Sequence, residues 1–187
     1  MPRSDGLGPA PGRLARGDRR GTERLRGSVS PAEIAQRLAP ALHWPGALEV
    51  QERSWKLVAR TPDFDAWLIA WPRGGRVELH DHGGSSGAVS VIAGTLVEAV
   101  PWREDSGRLS LVRHELRPGT TLEFGTGHVH DVTNESDEHA LSLHVYSPAL
   151  VSMVFYELSG GGRLVAGGRR WAYEGREDPD AAAATAL

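Results

Sequence analysis

Residues 80–87 read His-Asp-His-Gly-Gly-Ser-Ser-Gly, and residues 127–134 read Gly-His-Val-His-Asp-Val-Thr-Asn. Alternate side chains of a β-strand point to the same face, so His80 and His82 face one side of an extended segment. A third imidazole from a facing strand, that of His130, then completes a metal site. Without a metal, three buried imidazoles would each need hydrogen-bond partners in an apolar interior. The two stretches therefore predict a three-histidine metal centre inside a β-structure.

The rest of the chain reads as one helix followed by short strands. Residues 30–33 (Ser-Pro-Ala-Glu) combine a cap, a first-turn proline and a capping-box glutamate, and predict a helix that ends at residues 43–46. Ten short runs bounded by turn residues predict strands at 54–60, 65–71, 76–80, 87–93, 95–101, 109–116, 120–124, 128–134, 140–146 and 151–158. This regular spacing predicts an all-β, jelly-roll-type β-barrel with a short helical N-terminal cap.

Composition limits the domain organisation and the function classes. Residues 1–28 are rich in Arg, Gly and Pro, and residues 173–187 form a polar tail, so we expect both to be disordered around a single domain of residues 29–172. The chain has no cysteine, which excludes disulfides and thiolate sites. It has no long apolar run and a formal net charge of −3, so we expect neither a membrane span nor nucleic-acid binding. The expected location is the cytoplasm.

Both histidine stretches resemble the two signature motifs of the cupin superfamily in their glycine and histidine spacing. Aligned with the spacing of the cupin motif, His130, which is separated from Asn134 by three residues, is the expected third ligand. His128 is the alternative ligand, and we expect it to lie beside the metal site. Many metal cupins supply a glutamate four residues after the second histidine. Here no carboxylate follows His82 before Glu98. Imidazole ligands alone do not choose among iron, zinc, nickel and copper.

A third segment, residues 141–148 (Leu-Ser-Leu-His-Val-Tyr-Ser-Pro), makes the resemblance more specific. Together with the two histidine stretches, it is similar to the cysteine dioxygenase family of thiol dioxygenases over about residues 50–160. Ser142, His144 and Tyr146 share one face of a strand, so all three can point into the barrel.

The resemblance implies non-haem Fe(II) held by His80, His82 and His130, with no organic cofactor. It also implies that both atoms of dioxygen pass to the sulfur of L-cysteine and give cysteine sulfinate. The Tyr146 hydroxyl would lie near either the iron-bound oxygen or the substrate carboxylate, oriented by His144 with Ser142 behind it. In the animal members a cysteine is cross-linked to this tyrosine. The matching position here is Gly87, as in the bacterial members that lack the cross-link.

The residue that binds the substrate carboxylate is left open. The family uses an arginine on an early strand, whereas relatives that prefer 3-mercaptopropionate have glutamine there. Arg53, Lys56 and Arg60 compete for this role, and simple alternation does not choose among them. Arg60 is the first choice, because it begins the loop that leads to the strand before His80.

Three alternatives to an L-cysteine dioxygenase remain. The first is a dioxygenase of another small thiol such as 3-mercaptopropionate. The second is a metal-dependent cupin isomerase or lyase, which usually needs a fourth carboxylate ligand or a catalytic lysine; Lys56 is the only lysine of the chain. The third is a cupin that binds a ligand without catalysis. The expected partners are a small-molecule thiol and dioxygen, and the expected state is a monomer.

Overall fold

The computed structural model describes residues 29–44 and 48–172. The predicted N-terminal extension (1–28) and C-terminal tail (173–187) lie outside these residues, and a single cupin domain over residues 29–172 stays a prediction. Within the described part of the chain, no helix has the length and apolar character needed to cross a membrane.

One α-helix, α1 (Pro31–Leu38), begins where the sequence predicts it. Ser30 and Glu33 form a reciprocal capping box, in which each side chain accepts a hydrogen bond from the other backbone N–H. The helix ends earlier than residues 43–46 and continues as the 3₁₀ turn Ala39–Ala41. Pro40 explains the difference, because it has no N–H and its ring would meet the carbonyl four residues before it in an α-helix.

Eleven strands make up most of the described chain. They are β1 (Ser54–Arg60), β2 (Asp65–Trp71), β3 (Arg76–His80), β4 (Ser86–Ala93), β5 (Leu96–Arg103), β6 (Leu109–Leu116), β7 (Thr121–Phe124), β8 (His130–Thr133), β9 (Ala140–Ser147), β10 (Ser152–Leu158) and β11 (Leu164–Trp171). They form two antiparallel sheets with the strand orders β1-β2-β9-β4-β7 and β11-β10-β3-β8-β5-β6. This architecture confirms the predicted all-β cupin class with one short helix.

Among the described strands, β11 is the one that the sequence patterns did not predict. Its run Leu-Val-Ala-Gly-Gly-Arg-Arg-Trp contains the adjacent Gly167 and Gly168, which lower β-propensity. Its middle residues are exposed because β11 lies at a sheet edge, where it pairs only with β10. Without an apolar alternation the segment carries little strand signal.

Strand β9 lies at the centre of its sheet and is buried on both faces. Leu141, Leu143 and Val145 pack on the side of α1 and the segment that follows it. Ser142, His144 and Tyr146 alternate with them and face the space between the two sheets. The helix therefore seals the outer face of the strand whose inner face carries the polar residues.

Asn134, the last residue of the second histidine stretch, holds the chain reversal at the end of β8. Its Nδ2 donates to the carbonyl oxygens of Trp71, Pro72 and Glu138 at 3.2, 3.2 and 2.8 Å. Its Oδ1 accepts from the backbone and side chain of Ser136. The side chain is fully buried, so the amide satisfies backbone groups that have no access to water.

We expect Asn134→Asp to lower the free energy of unfolding by about 3 kcal/mol, because a buried carboxylate would face three carbonyl oxygens. Urea unfolding followed by circular dichroism measures the change. Glu138→Gln is the control, since this exposed side chain lies nearby and also changes charge by one unit. A change below about 0.5 kcal/mol in the Asn134→Asp variant would contradict the structural role of the amide.

Candidate metal centre and active site

Two of the three predicted ligands lie directly opposite each other on paired strands. His80 is the last residue of β3 and His130 the first of β8, and the two form a register pair. His82 follows β3 in a turn closed by a hydrogen bond from Ser85 N to its carbonyl. The ring centroids of the three residues are 4.7 to 5.0 Å apart. One nitrogen from each lies within 4.8 Å of the others, so they form a group that could hold a metal ion.

Asp81, between the first two histidines, fixes the turn that carries His82. Its carboxylate accepts hydrogen bonds from the backbone N–H groups of Gly83 and Val154 and from the Tyr156 hydroxyl. Gly83 has a φ of +57°, and a Cβ there would lie 2.6 Å from the carbonyl oxygen of Ser152. The turn therefore packs against β10 so closely that only glycine fits, and His82 is held in place from outside the barrel.

The hydrogen bonds of the imidazoles leave their inner nitrogens available. His80 Nδ1 lies 2.7 Å from the Glu78 carbonyl oxygen, which only accepts, so Nδ1 carries the proton and Nε2 a lone pair. His130 Nδ1 is likewise bonded to Glu98. His130 Nε2 and both nitrogens of His82 are buried without a hydrogen-bond partner among the described residues. Buried nitrogens are rarely left unpaired, and a metal ion at this point satisfies them.

The electrostatic environment keeps the three rings neutral, as metal ligands must be. Burial lowers the pKa of His80 well below its ordinary value, and the neighbouring His130 lowers it further. Burial and the same neighbour lower the pKa of His82. Burial also lowers the pKa of His130, although Glu98 acts in the opposite direction. The donor set therefore fits a cation with three neutral imidazole ligands, and these three residues would hold it.

Glu98 on β5 is the functional residue that sequence reasoning overlooked. Its Oε1 lies 2.8 Å from His128 Nε2 and 2.7 Å from His130 Nδ1. Burial raises the pKa of Glu98, but the hydrogen bonds with the two histidines outweigh it and lower the pKa to about 2. Glu98 thus stands behind His130, orients its ring and binds His128 away from the three inner nitrogens. The available signal was an acidic residue within the apolar run Leu-Val-Glu-Ala-Val.

Ser142, His144 and Tyr146 form a hydrogen-bonded chain that begins at Trp71. Trp71 Nε1 donates to Ser142 Oγ at 2.8 Å, Ser142 Oγ lies 2.9 Å from His144 Nε2, and His144 Nδ1 lies 3.2 Å from the Tyr146 hydroxyl. Because Trp71 only donates, the Ser142 proton is available to His144 Nε2. His144 Nδ1 then donates to the Tyr146 oxygen, which leaves the phenol proton for a group in the adjoining space.

Burial keeps both ionisable members of this chain neutral. It lowers the pKa of His144 to about 3 and raises the pKa of Tyr146 above its ordinary value. The tyrosine is therefore a hydrogen-bond donor, not a phenolate, in the free protein at neutral pH.

A cavity of ≈ 200 Å³ lies between His80 and this hydrogen-bonded chain. His80, one of the three predicted metal ligands, lines it together with His144 and Tyr146, two of the three predicted catalytic residues. Its other walls are mostly apolar and aromatic, formed by Trp67, Trp71, Ile69, Leu150, Met153 and Phe155. Apolar walls lower the local dielectric constant and so strengthen electrostatic interactions beside them.

The structure does not bring Arg60, the first choice for the carboxylate, to this cavity. Arg60 ends β1 beside the turn to β2 and is exposed, and Lys56 is exposed as well. Arg53, which immediately precedes β1, does line the cavity. Its guanidinium lies 5.1 Å from the Trp55 ring centroid and 5.6 Å from that of Trp71.

Gly87 lies where the cross-linking cysteine of animal relatives was expected, and the structure leaves no room for a side chain there. A Cβ at Gly87 would lie 2.7 Å from Phe124 Cζ and 2.7 Å from the carbonyl oxygen of Val145. Phe124 stacks on His82, with ring centroids 4.6 Å apart. The space beside Tyr146 is therefore filled by a phenyl ring that supports a metal ligand.

A family model described as Cysteine dioxygenase type I matches residues 41–159. The chain belongs to the cysteine dioxygenase family. The matched range includes the three imidazoles, the chain from Ser142 to Tyr146, and Arg53. Membership of the cysteine dioxygenase family implies a dioxygenase enzyme.

Solved structures with similar folds have low sequence identity to this chain. A protein from Thermus thermophilus is 24% identical, with 56% of this chain and 90% of that chain covered and a TM-score of 0.43. A cupin superfamily protein from Desulfitobacterium hafniense is 13% identical, with 59% of this chain and 86% of that chain covered and a TM-score of 0.45. A protein with a double-stranded β-helix domain from Klebsiella pneumoniae is 18% identical, with 70% of this chain and 94% of that chain covered and a TM-score of 0.43. At these values the similarities concern the general fold alone.

We expect Glu98→Gln to weaken metal binding by about 10-fold or more, because the amide loses the charge and one acceptor that orient His130. Titration of the metal-free protein with Co(II) or Zn(II), in competition with a chromophoric chelator, measures the affinity. Glu123→Gln is the matched control, since this side chain is exposed on β7. Equal affinities for the Glu98→Gln variant and the wild type would contradict the orienting role of Glu98.

Proposed function

We propose that this protein is a thiol dioxygenase that uses Fe(II) to convert L-cysteine into cysteine sulfinate. The observation that carries the proposal is a group of three neutral imidazoles that, among the described residues, includes no carboxylate, and whose member His80 lines a cavity together with Arg53 and Tyr146. Family membership supplies the reaction class. Three neutral ligands leave both the charge and the coordination positions of the metal available to an anionic chelating substrate.

His80, His82 and His130 would hold the ion in this proposal. Bound there, Fe(II) would supply the chemistry that activates the thiol and reduces dioxygen. The reaction R–SH + O₂ → R–SO₂H balances without a further reductant, since sulfur loses the four electrons that dioxygen gains. No nicotinamide, flavin or oxoacid is therefore required.

Arg53 would bind the substrate carboxylate. Its guanidinium is partly buried in an aromatic setting, where a charge-assisted hydrogen bond is stronger than in water. Tyr146, kept neutral by burial, would donate its phenol proton to the substrate or to the developing sulfinate. Trp71, Ser142 and His144 fix the direction of that donation.

The isomerase or lyase alternative is less consistent with the position of Glu98. A fourth carboxylate ligand would have to face the three inner nitrogens, whereas Glu98 is bonded to His128 and to the outer nitrogen of His130. Lys56 is exposed and does not line the cavity. The preference between L-cysteine and 3-mercaptopropionate, the cytoplasmic location and the monomeric state stay predictions.

Dioxygen uptake by the Fe(II)-loaded protein tests the proposal. We expect one dioxygen consumed for each L-cysteine, with cysteine sulfinate identified by mass spectrometry and no uptake by the metal-free protein. 3-Mercaptopropionate is the second substrate. Uptake with 3-mercaptopropionate alone would mean that this thiol, and not L-cysteine, is the substrate. No uptake with either thiol despite bound iron would overturn the proposal.

A pair of substitutions tests whether Arg53 binds the substrate carboxylate. We expect Arg53→Met to lower kcat/KM for L-cysteine by about 10- to 100-fold, the range of one lost hydrogen bond to a charged group. Arg60→Met is the matched control, and we expect its kcat/KM to stay within about 2-fold of the wild type. A loss in the Arg60→Met variant, with a normal Arg53→Met variant, would return the role to Arg60.

A further inference from the structure

A second guanidinium, which the proposed reaction does not use, lines the same cavity. Arg53 precedes β1 and Arg170 lies in β11. Strands β1 and β11 are edge strands of the two different sheets. Each sheet therefore contributes one cation to the cavity between them. Arg170 also lies outside residues 41–159, the range that the family model matches.

The two guanidiniums lie over different aromatic rings of the cavity wall. The Arg53 guanidinium lies 5.6 Å from the ring of Trp71, the tryptophan that donates to Ser142. The Arg170 guanidinium lies 4.4 Å from the ring of Phe155, and that ring is 5.8 Å from His80. Arg53 thus stands beside the hydrogen-bonded chain, and Arg170 stands over the wall next to a metal ligand.

The charges of these two side chains are not balanced locally. Among the described residues, neither guanidinium forms a salt bridge with a carboxylate. Burial lowers the pKa of Arg53; Tyr146 and Glu78 raise it, and Arg170 lowers it. Glu78 on β3 and Arg170 on β11 are both exposed, so water screens their effects. An anion bound in the cavity that both guanidiniums line would be attracted by each of them.

One carboxylate occupies only one of the two guanidiniums. L-Cysteine and 3-mercaptopropionate each have a single carboxylate, which the proposed function assigns to Arg53. A thiol with two carboxylates places its sulfur toward the imidazoles and one carboxylate on each arginine. The cavity, at ≈ 200 Å³, has room for a four-carbon thiol of this kind.

We infer that the cavity accepts thiols with two acidic groups, of the mercaptosuccinate type, with Arg170 as the residue that binds the second carboxylate. This inference rests on the proposed function for its chemistry: the thiol loses its proton, both oxygen atoms join sulfur, and sulfur supplies the four electrons that dioxygen takes up. Arg170 touches only the second carboxylate, so it determines which substrate binds and leaves the reaction at sulfur unchanged.

Anaerobic calorimetry of the Fe(II)-loaded protein tests the inference without turnover. Mercaptosuccinate and 3-mercaptopropionate differ by one carboxylate, so their affinities isolate the second contact. We expect mercaptosuccinate to bind about 10-fold more tightly or better, the size of one hydrogen bond to a charged group. Equal affinities for the two thiols would overturn the inference.

Substitutions on β11 assign the effect to one residue. We expect Arg170→Met to remove the preference for mercaptosuccinate and to leave 3-mercaptopropionate within about 2-fold, while Arg170→Lys keeps part of the preference. Arg169→Met is the matched control: it removes the same charge from the neighbouring position, which does not line the cavity. A preference that survives in the Arg170→Met variant, or that disappears in the Arg169→Met variant, would contradict the role of Arg170.

Dioxygen uptake with the same thiols separates the two proposals. Uptake with L-cysteine or 3-mercaptopropionate but neither binding nor uptake of mercaptosuccinate would overturn the inference and leave the proposed function standing. No uptake with any thiol would overturn the proposed function. In that case a tighter binding of mercaptosuccinate that depends on Arg170 would still support a site for two acidic groups.

Discussion

The antiparallel pairing of β3 with β8 places His80 opposite His130, and the other parts of the site are arranged around this pair. Strand β10 pairs with β3 on the other side and aligns Phe155 with His80. The turn after β3 then returns His82 to the same point, because Asp81 and Gly83 attach it to β10. Backbone pairing and one tight turn thus bring together three imidazoles that are up to 50 residues apart in the sequence.

The outer hydrogen bonds of these imidazoles are as important as their convergence. A carbonyl oxygen holds His80, and the ionised Glu98 holds His130 and His128 together. These bonds fix the tautomers, so that lone pairs point inward, and burial keeps the rings neutral. Strand β9 completes the arrangement from the opposite sheet. The helix covers its outer face, while His144 and Tyr146 on its inner face line the cavity and Ser142 is hydrogen-bonded to His144.

Much of the fold and of the candidate site follows from local sequence patterns. The strands from β1 to β10 have clear alternation or apolar runs, and the inward face of β9 follows from the period of two. The spacing of the histidines predicted His80, His82 and His130 as a group of metal ligands, and their ligand atoms lie within 4.8 Å of one another in the structure.

The remaining features depend on contacts that no local pattern contains. The register of β1 against β2 shifts between Leu57 and Ala59, so alternation cannot be carried from Arg60 back to Arg53. The role of Glu98 depends on its hydrogen bonds with His128 and His130, about 30 residues further along the chain. Strand β11, with its two adjacent glycines, is visible only once β10 offers it an edge to pair with. Its Arg170 reaches the cavity only through that pairing.

An anaerobic crystal structure of the Fe(II)-loaded protein is the most direct test of the central claim that three neutral imidazoles form the metal centre. The predicted result is one metal ion bound by Nε2 of His80 and His130 and by one nitrogen of His82, with Glu98 still bonded to His128. The described residues contain a second group of possible ligands, Glu98, His128 and His130. A metal ion bound to that group, with His80 and His82 uncoordinated, would contradict the claim.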